Sequence, residues 1–231
     1  MGTLQDRKVA RDSRPHTIQQ RPLSPDSHKA KSEKVRLGKM DNSGSRFGQS
    51  ILFARNFLKY PNLVGWMLPS SPFVVAQVLR QVDWKRARVI VEYGPGIGTF
   101  TKQILRQMHP DAVLLALEVN GDFVRFLRGT LHDPRLRLVH GSAADVDVEL
   151  ARLGHKSADY VISGIPFKTL PEEVCNRVAH KTHSVLHPKG AFLVYQLSSA
   201  ALPYLERVFG SVRRDFEWLS ILPARLFYCV R

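Results

Sequence analysis

Residues 89–100, VIVEYGPGIGTF, decide how the chain folds. Val89, Ile90 and Val91 form a β-branched run suited to a strand buried on both faces. The run stops at Glu92, and Gly94, Gly96 and Gly98 follow at every second position. From Thr99 the apolar residues Phe100, Ile104 and Leu105 resume at helical spacing. A strand, a glycine turn and a helix in that order make a cradle for a nucleotide-like ligand. Glycine lets the backbone turn sharply and lets a ligand approach where a Cβ would collide, and the helix start offers unpaired N–H groups. The spacing E-x-G-x-G-x-G is not the dinucleotide fingerprint G-x-G-x-x-G, which seats a pyrophosphate. A carboxylate two residues ahead of the first glycine repels a pyrophosphate and suits a cationic, ammonium-bearing ligand. Taken alone, the glycine trio also fits a tight turn in an unrelated α/β fold.

Two further stretches narrow the choice. Residues 112–118, AVLLALE, are a second apolar run ending in an acid, at the distance of an acid–ribose contact. Residues 136–140 form a third short strand leading into Gly141, Ser142, Ala143, Ala144 and Asp145. The three together resemble the class I S-adenosylmethionine-dependent methyltransferases. That resemblance implies an α/β, Rossmann-like fold: a seven-stranded, mostly parallel sheet with an antiparallel last strand and helices on both faces. It implies S-adenosyl-L-methionine as cofactor, with its sulfonium and amino-acid tail near Glu92, Gly94, Gly96 and Gly98. It gives the ribose hydroxyls to Glu118, followed by Val119 and Asn120. It places the adenine over the third turn, where Ser142, Ala143 and Asp145 or their amides read its amino edge. A helix N-cap at Ser142 or Asp145 is the alternative, and both readings can hold together.

The length of 231 residues suits one domain, and 44% hydrophobic residues suffice for a core. A formal net charge of +14 points to a polyanionic partner, nucleic acid or an anionic membrane surface. Two cysteines, Cys175 and Cys229, make neither a disulfide scaffold nor a metal cluster and read as buried thiols in a reducing cytoplasm. His180, His183 and His187 share a segment without a Cys or acid at ligand spacing, so no metal is expected. Residues 1–50 carry eleven Lys/Arg against five Asp/Glu with almost no aromatics. They read as a disordered basic tail, either simply solvated or hovering over anionic headgroups, at ~1 kcal/mol per basic residue near the surface. Residues 51–82 open the methyltransferase domain with amphipathic helices. Ile51, Phe53, Phe57 and Leu58 lie beside Arg55 and Lys59, and a second helix is expected from Phe73 to Gln81. Nothing there reaches the ~20 apolar residues of a bilayer span. The segment suits a membrane interface, a lid over the cofactor, or both.

The fourth strand, Ala158–Ile162, runs into Ser163-Gly164-Ile165-Pro166-Phe167. Amine-methylating relatives carry Asn/Asp-Pro-Pro-Tyr here, where a side chain and a backbone carbonyl hold the acceptor N–H groups. Ser163 replaces their amide or acid and Phe167 their aromatic, which lowers the case for a nucleobase. With Met67-Leu68-Pro69-Ser70, the Glu92–Gly96 turn and Pro223-Ala224-Arg225, this stretch is similar to bacterial phospholipid N-methyltransferases, over residues 51–231. These turn phosphatidylethanolamine into phosphatidylcholine. The resemblance implies methyl transfer to a lipid amine, with Ser163, the Gly164 carbonyl and Tyr195 around the acceptor and Tyr60 closing from the N-terminal helix. Ser163 would border the cofactor as well. A packing role for Tyr195 is the simpler account, and Arg225 reads either as a lipid-phosphate contact or as an exposed strand arginine. The expected partners are an anionic membrane surface and a phospholipid substrate, with nucleic acid disfavoured, no obligate protein partner, and a cytoplasmic, peripheral-membrane location. The alternatives are an rRNA adenine N-methyltransferase-like enzyme, or a non-catalytic protein of the same fold.

Overall fold

The computed structural model of the protein describes residues 71–218 and 224–231. The expected tail over 1–50, the helix begun at Ile51 and Tyr60 lie outside the described residues. The elements run α1 (Pro72–Leu79), β1 (Val89–Tyr93), α2 (Thr99–Gln107), β2 (Val113–Glu118), α3 (Gly121–Thr130), β3 (Leu136–His140), α4 (Val146–Arg152), β4 (Ala158–Ser163), α5 (Glu172–Val185), β5 (Leu186–Gln196), α6 (Leu202–Val208), β6 (Ser211–Glu217) and β7 (Ala224–Val230). The seven strands lie in the order β3-β2-β1-β4-β5-β7-β6. Strands β1 to β5 pair in parallel, and β7 runs antiparallel to both β5 and β6. This is the seven-stranded, mostly parallel sheet with an antiparallel last strand that the three stretches together implied.

The alternation of side chains along each strand divides the core into two layers. Val91, Tyr93, Val161, Phe192 and Val194 face α4, α5 and α6. Ile90, Ile162 and Leu193 face α1 and α2, where Val78, Phe100 and Ile104 meet them. All five residues of β1 are buried, as its β-branched composition demands. The helix after β1 covers one face and the helix after β4 the other, so these two neighbours form the switch point of the sheet. Ligands of open α/β sheets bind in the crevice outside the carboxyl ends of such strands.

Local chemistry sets the helix starts. The Ser71 hydroxyl accepts the Phe73 N–H at 3.2 Å with Pro72 in the first turn of α1. Asn120 caps α3, its Oδ1 accepting the Asp122 N–H at 2.9 Å. Glu172 and Glu173 occupy the first turn of α5, where the helix dipole favours them.

The sequence places the fifth strand at 190–195 and the sixth at 212–221. Strand β5 starts at Leu186 rather than Gly190, because the pairing with β4 shifts register between Ala158 and Tyr160 and carries the strand through Pro188. A Cβ at Gly190 would stand 2.5 Å from the Asp159 carbonyl, so only glycine passes there. Strand β6 runs from Ser211 to Glu217, and residues 219–221 of the expected strand lie outside the described residues. Among the described residues no helix is long and apolar enough to cross a membrane.

Candidate active site

Three loops at the carboxyl end of the sheet are stitched to one another through their first N–H groups. Gly94 donates to the Leu117 carbonyl at 2.9 Å, Gly141 to the Glu118 carbonyl at 3.0 Å, and Gly164 to the Tyr93 carbonyl at 3.1 Å. Each turn is therefore held by the last residues of a neighbouring strand. All three glycines of the first turn have positive φ, 67° at Gly94, 57° at Gly96 and 82° at Gly98. Gly98 packs against α3, since a Cβ there would meet Leu127 at 2.7 Å. A Cβ on Gly96 would meet nothing within 4 Å. The middle glycine thus borders open space, and that space is the cradle.

Two carboxyls that feel each other's charge lie on the strands that flank this turn. Glu118, at the end of β2, accepts the Gly96 N–H on Oε2 at 3.0 Å and the Asn120 N–H on Oε1 at 2.8 Å. Burial raises its pKa, and these amide bonds pull the other way. Glu92, at 2% exposure, has no hydrogen-bond partner on Oε2. Burial pushes its pKa up to about 8; the facing Thr101 hydroxyl and N–H offset part of this, and the Glu118 charge adds to it. Without a cation beside it, Glu92 is largely protonated at neutral pH. A buried acid with an unsatisfied oxygen is costly unless a ligand supplies the partner.

Beyond Glu118, Val119 is 69% exposed and its carbonyl accepts the Nε2–H of His140 at 3.0 Å, tying the ends of β2 and β3 together. Ser142 caps the short helical turn Ala143–Asp145, its hydroxyl accepting the Ala144 N–H at 3.1 Å. The capping reading of Ser142 is realised, Ala143 is buried beneath it and Asp145 is exposed.

On the acceptor side the expected residues divide. Ser163 is fully buried and its hydroxyl turns back to the Ile165 N–H at 3.4 Å, shaping the turn. Phe167 is 2% exposed and packs in the core near Tyr204, not at the mouth. Gly164 and Tyr195 are brought together: a Cβ on Gly164 would lie 2.2 Å from the Tyr195 hydroxyl oxygen. The Tyr195 ring stacks on Phe100 with centroids 4.4 Å apart and planes at 15°. The phenol thus fills the place that a side chain at position 164 would take. Arg225 is exposed on β7, with its guanidinium 5.5 Å from the centre of the Phe216 ring.

Sequence reasoning passed over Thr101, His140 and Gln196. Gln196 is 3% exposed and its Nε2 donates to the Ile165 carbonyl at 2.7 Å. No motif marks it; only the strand register carries it beneath the turn after β4.

Residues 90–190 match the model of a methyltransferase domain. The chain is 32% identical to an ornithine lipid N-methyltransferase of Singulisphaera acidiphila over 180 residues, 77% of this chain and 94% of that protein. The chain belongs to the class I S-adenosylmethionine-dependent methyltransferases. Within that group this methyltransferase is also 23% identical to the ribosomal RNA small subunit methyltransferase A of Mycoplasma capricolum, over 51% of this chain and 42% of that protein. Its fold is that of human methyltransferase-like protein 13 in complex with SAH, at TM-score 0.51 and 15% identity, covering 69% of this chain and 80% of that one. The cofactor is S-adenosyl-L-methionine, and the site has features that fit it. The orphaned Glu92 carboxyl suits an ammonium or sulfonium, and the space beside Gly96 admits a ligand where a Cβ would stand.

Proposed function

We propose that this methyltransferase methylates the amine of a membrane-lipid headgroup, converting phosphatidylethanolamine to its methylated forms and phosphatidylcholine. The observation that carries the reading is the match to a lipid N-methyltransferase along 94% of that relative's length. The Gly164–Tyr195 pair supports it. An acceptor turn with no side chain at its second position packs its backbone directly against a phenol, and the turn itself lacks the amide that grips a nucleobase.

S-adenosyl-L-methionine supplies an electrophilic methyl group on a sulfonium. Methyl transfer is an in-line displacement, so the protein's task is to position the partners. Glu92 faces the cationic tail, Gly94, Gly96 and Gly98 carry the backbone around it, and Glu118 takes the ribose hydroxyls. Val119, Ser142 and Ala143 frame the adenine. Ser163 fixes the turn. An alkylammonium with a pKa of ~10 must lose a proton before its nitrogen can attack. The turn carbonyl of Gly164 and the Tyr195 hydroxyl orient that nitrogen, and the apolar Phe100 wall disfavours the charged form. The eleven Lys/Arg of residues 1–50 draw the enzyme to the cytoplasmic face of an anionic membrane.

Labelled cofactor with vesicles of phosphatidylethanolamine or ornithine lipid tests the reading. Mono- and dimethylated headgroups in the mass spectrum are expected; a chain that leaves both lipids unmethylated does not have this function. Ribosomal RNA in a parallel reaction tests the alternative suggested by the Mycoplasma relative.

A further inference from the structure

We propose that Gln196 is a substrate-positioning residue, its side-chain oxygen accepting an N–H of the methyl-acceptor amine. This rests on the reading of the acceptor as an amine. Two features of the residue make it unusual. Its Nε2 donates to the Ile165 carbonyl at 2.7 Å, and its Oε1 is buried with no donor. The first fixes the second: a carbonyl can be met only by the NH2 end of the amide, so the orientation of the group is determined. Gln196 therefore presents a fixed carbonyl oxygen that lacks a donor.

Its position gives that vacancy a use. Gln196 is the last residue of β5, next to Tyr195, whose phenol lies against Gly164. Its own bond reaches the residue after Gly164. The acceptor turn is thus held from β5 on both sides, by a ring at Gly164 and by an amide at Ile165. Ser163, which stands where nucleobase enzymes carry their amide or acid, is fully buried with its hydroxyl directed at Ile165. The carboxamide missing from the turn is supplied by the adjacent strand. A buried amide oxygen without a partner is disfavoured, and an acceptor amine brings the N–H that completes it. Neutral primary and secondary amines carry that N–H, whereas the tertiary amine that attacks in a third transfer and the quaternary product do not, so Gln196 holds the acceptor in the first two transfers only.

The test uses the full chain, 15N-labelled, with S-adenosylhomocysteine, and octylamine or octyltrimethylammonium as probes. The two probes share a tail and a charge, and only the first has N–H groups. The side-chain NH2 signal of Gln196 is identified by its loss in Gln196→Leu, or in Gln196→Glu should the leucine variant not fold. A slowly exchanging proton is expected, and octylamine alone shifts the signal. In turnover, Gln196→Leu raises KM for the amine acceptor at least tenfold and leaves cofactor Kd within twofold. Gln196→Glu is active when its carboxyl is protonated and can donate to Ile165, and loses activity as pH rises and ionises it; a purely structural glutamine gives no such pH profile. No shift with octylamine, equal shifts with both probes, or an unchanged KM overturns the proposal. A selective shift without lipid turnover instead removes the lipid reading and leaves Gln196 in place.

Discussion

Glu118 Oε2 accepts the backbone N–H of Gly96 at 3.0 Å, so the acid that ends β2 clasps the open middle of the glycine turn after β1. The bond pre-sets the turn and leaves the carboxylate at the rim of the cradle. Glu118→Ala removes the clasp and, on the proposed function, the group that meets the ribose. Charge-assisted hydrogen bonds contribute about 1.5–3 kcal/mol each, so calorimetry should find cofactor affinity down by about 10–100-fold. Retained affinity would take Glu118 out of the site.

Gly96→Ala separates stability from binding. The new Cβ meets no protein atom within 4 Å, so the fold bears only the left-handed backbone penalty, roughly 1–2 kcal/mol. Cofactor affinity should nevertheless fall at least about tenfold, because the methyl stands in the ligand's space. Thermal unfolding and calorimetry on one preparation decide it. A variant that still binds the cofactor normally would show that the ligand passes elsewhere.

Glu92 gives binding a pH dependence. Its pKa near 8 in the free protein means a proton must leave when a cation arrives. Cofactor affinity should climb as pH rises, by up to about tenfold per unit, and level off above pH 8. Calorimetry in two buffers of different ionisation enthalpy should register proton release. For stability the sign is opposite. The unfolded carboxyl ionises near its ordinary 4.5 while the folded one holds its proton, so the folded state loses ground as pH rises from 4.5 to 8. Glu92→Gln should therefore stabilise the free protein at pH 7, by on the order of 3 kcal/mol at most, and abolish proton release on binding. An unchanged melting temperature with intact proton release argues that another group titrates.

Tyr195→Phe keeps the ring stacked on Phe100 and removes only the hydroxyl. Loss of a positioned proton-handling group lowers kcat by about 100-fold or more, with cofactor affinity unchanged. Gly164→Ala acts from the opposite side: its Cβ would press on the phenol at 2.2 Å and force the ring off its stack, with a strain of about 1–3 kcal/mol. Both variants should lose methyl transfer. Turnover by Tyr195→Phe at the wild-type rate would reduce Tyr195 to a packing residue.

The glycine turn after β1 and the acid ending β2 were legible because their signals are local. Glu92 and the three glycines lie within seven residues, and the end of an apolar run announces Glu118. The acceptor half depends on strand register. Gln196 meets Ile165 across 31 positions of sequence, and Phe100 stacks on Tyr195 from another element. No periodicity records such pairs. Ser163 misled for a related reason: its place at a strand end was readable, but the inward turn of its side chain follows from the alternation along β4. The sequence places the start of β5 at Gly190, four residues late, because local composition does not record the register shift against β4 that carries the strand through Pro188.

The Gly164 N–H bonds to the Tyr93 carbonyl, and β1 and β4 are adjacent strands. The loops after β1 and β4, to which the proposed function gives the donor and the recipient, are therefore mounted on a rigid ruler whose graduation is the ~4.8 Å spacing of paired strands. Mutation can recarve the walls of the recipient pocket without altering the reach of the transferred carbon. A lineage built on this frame is free to change what it modifies while keeping how it modifies.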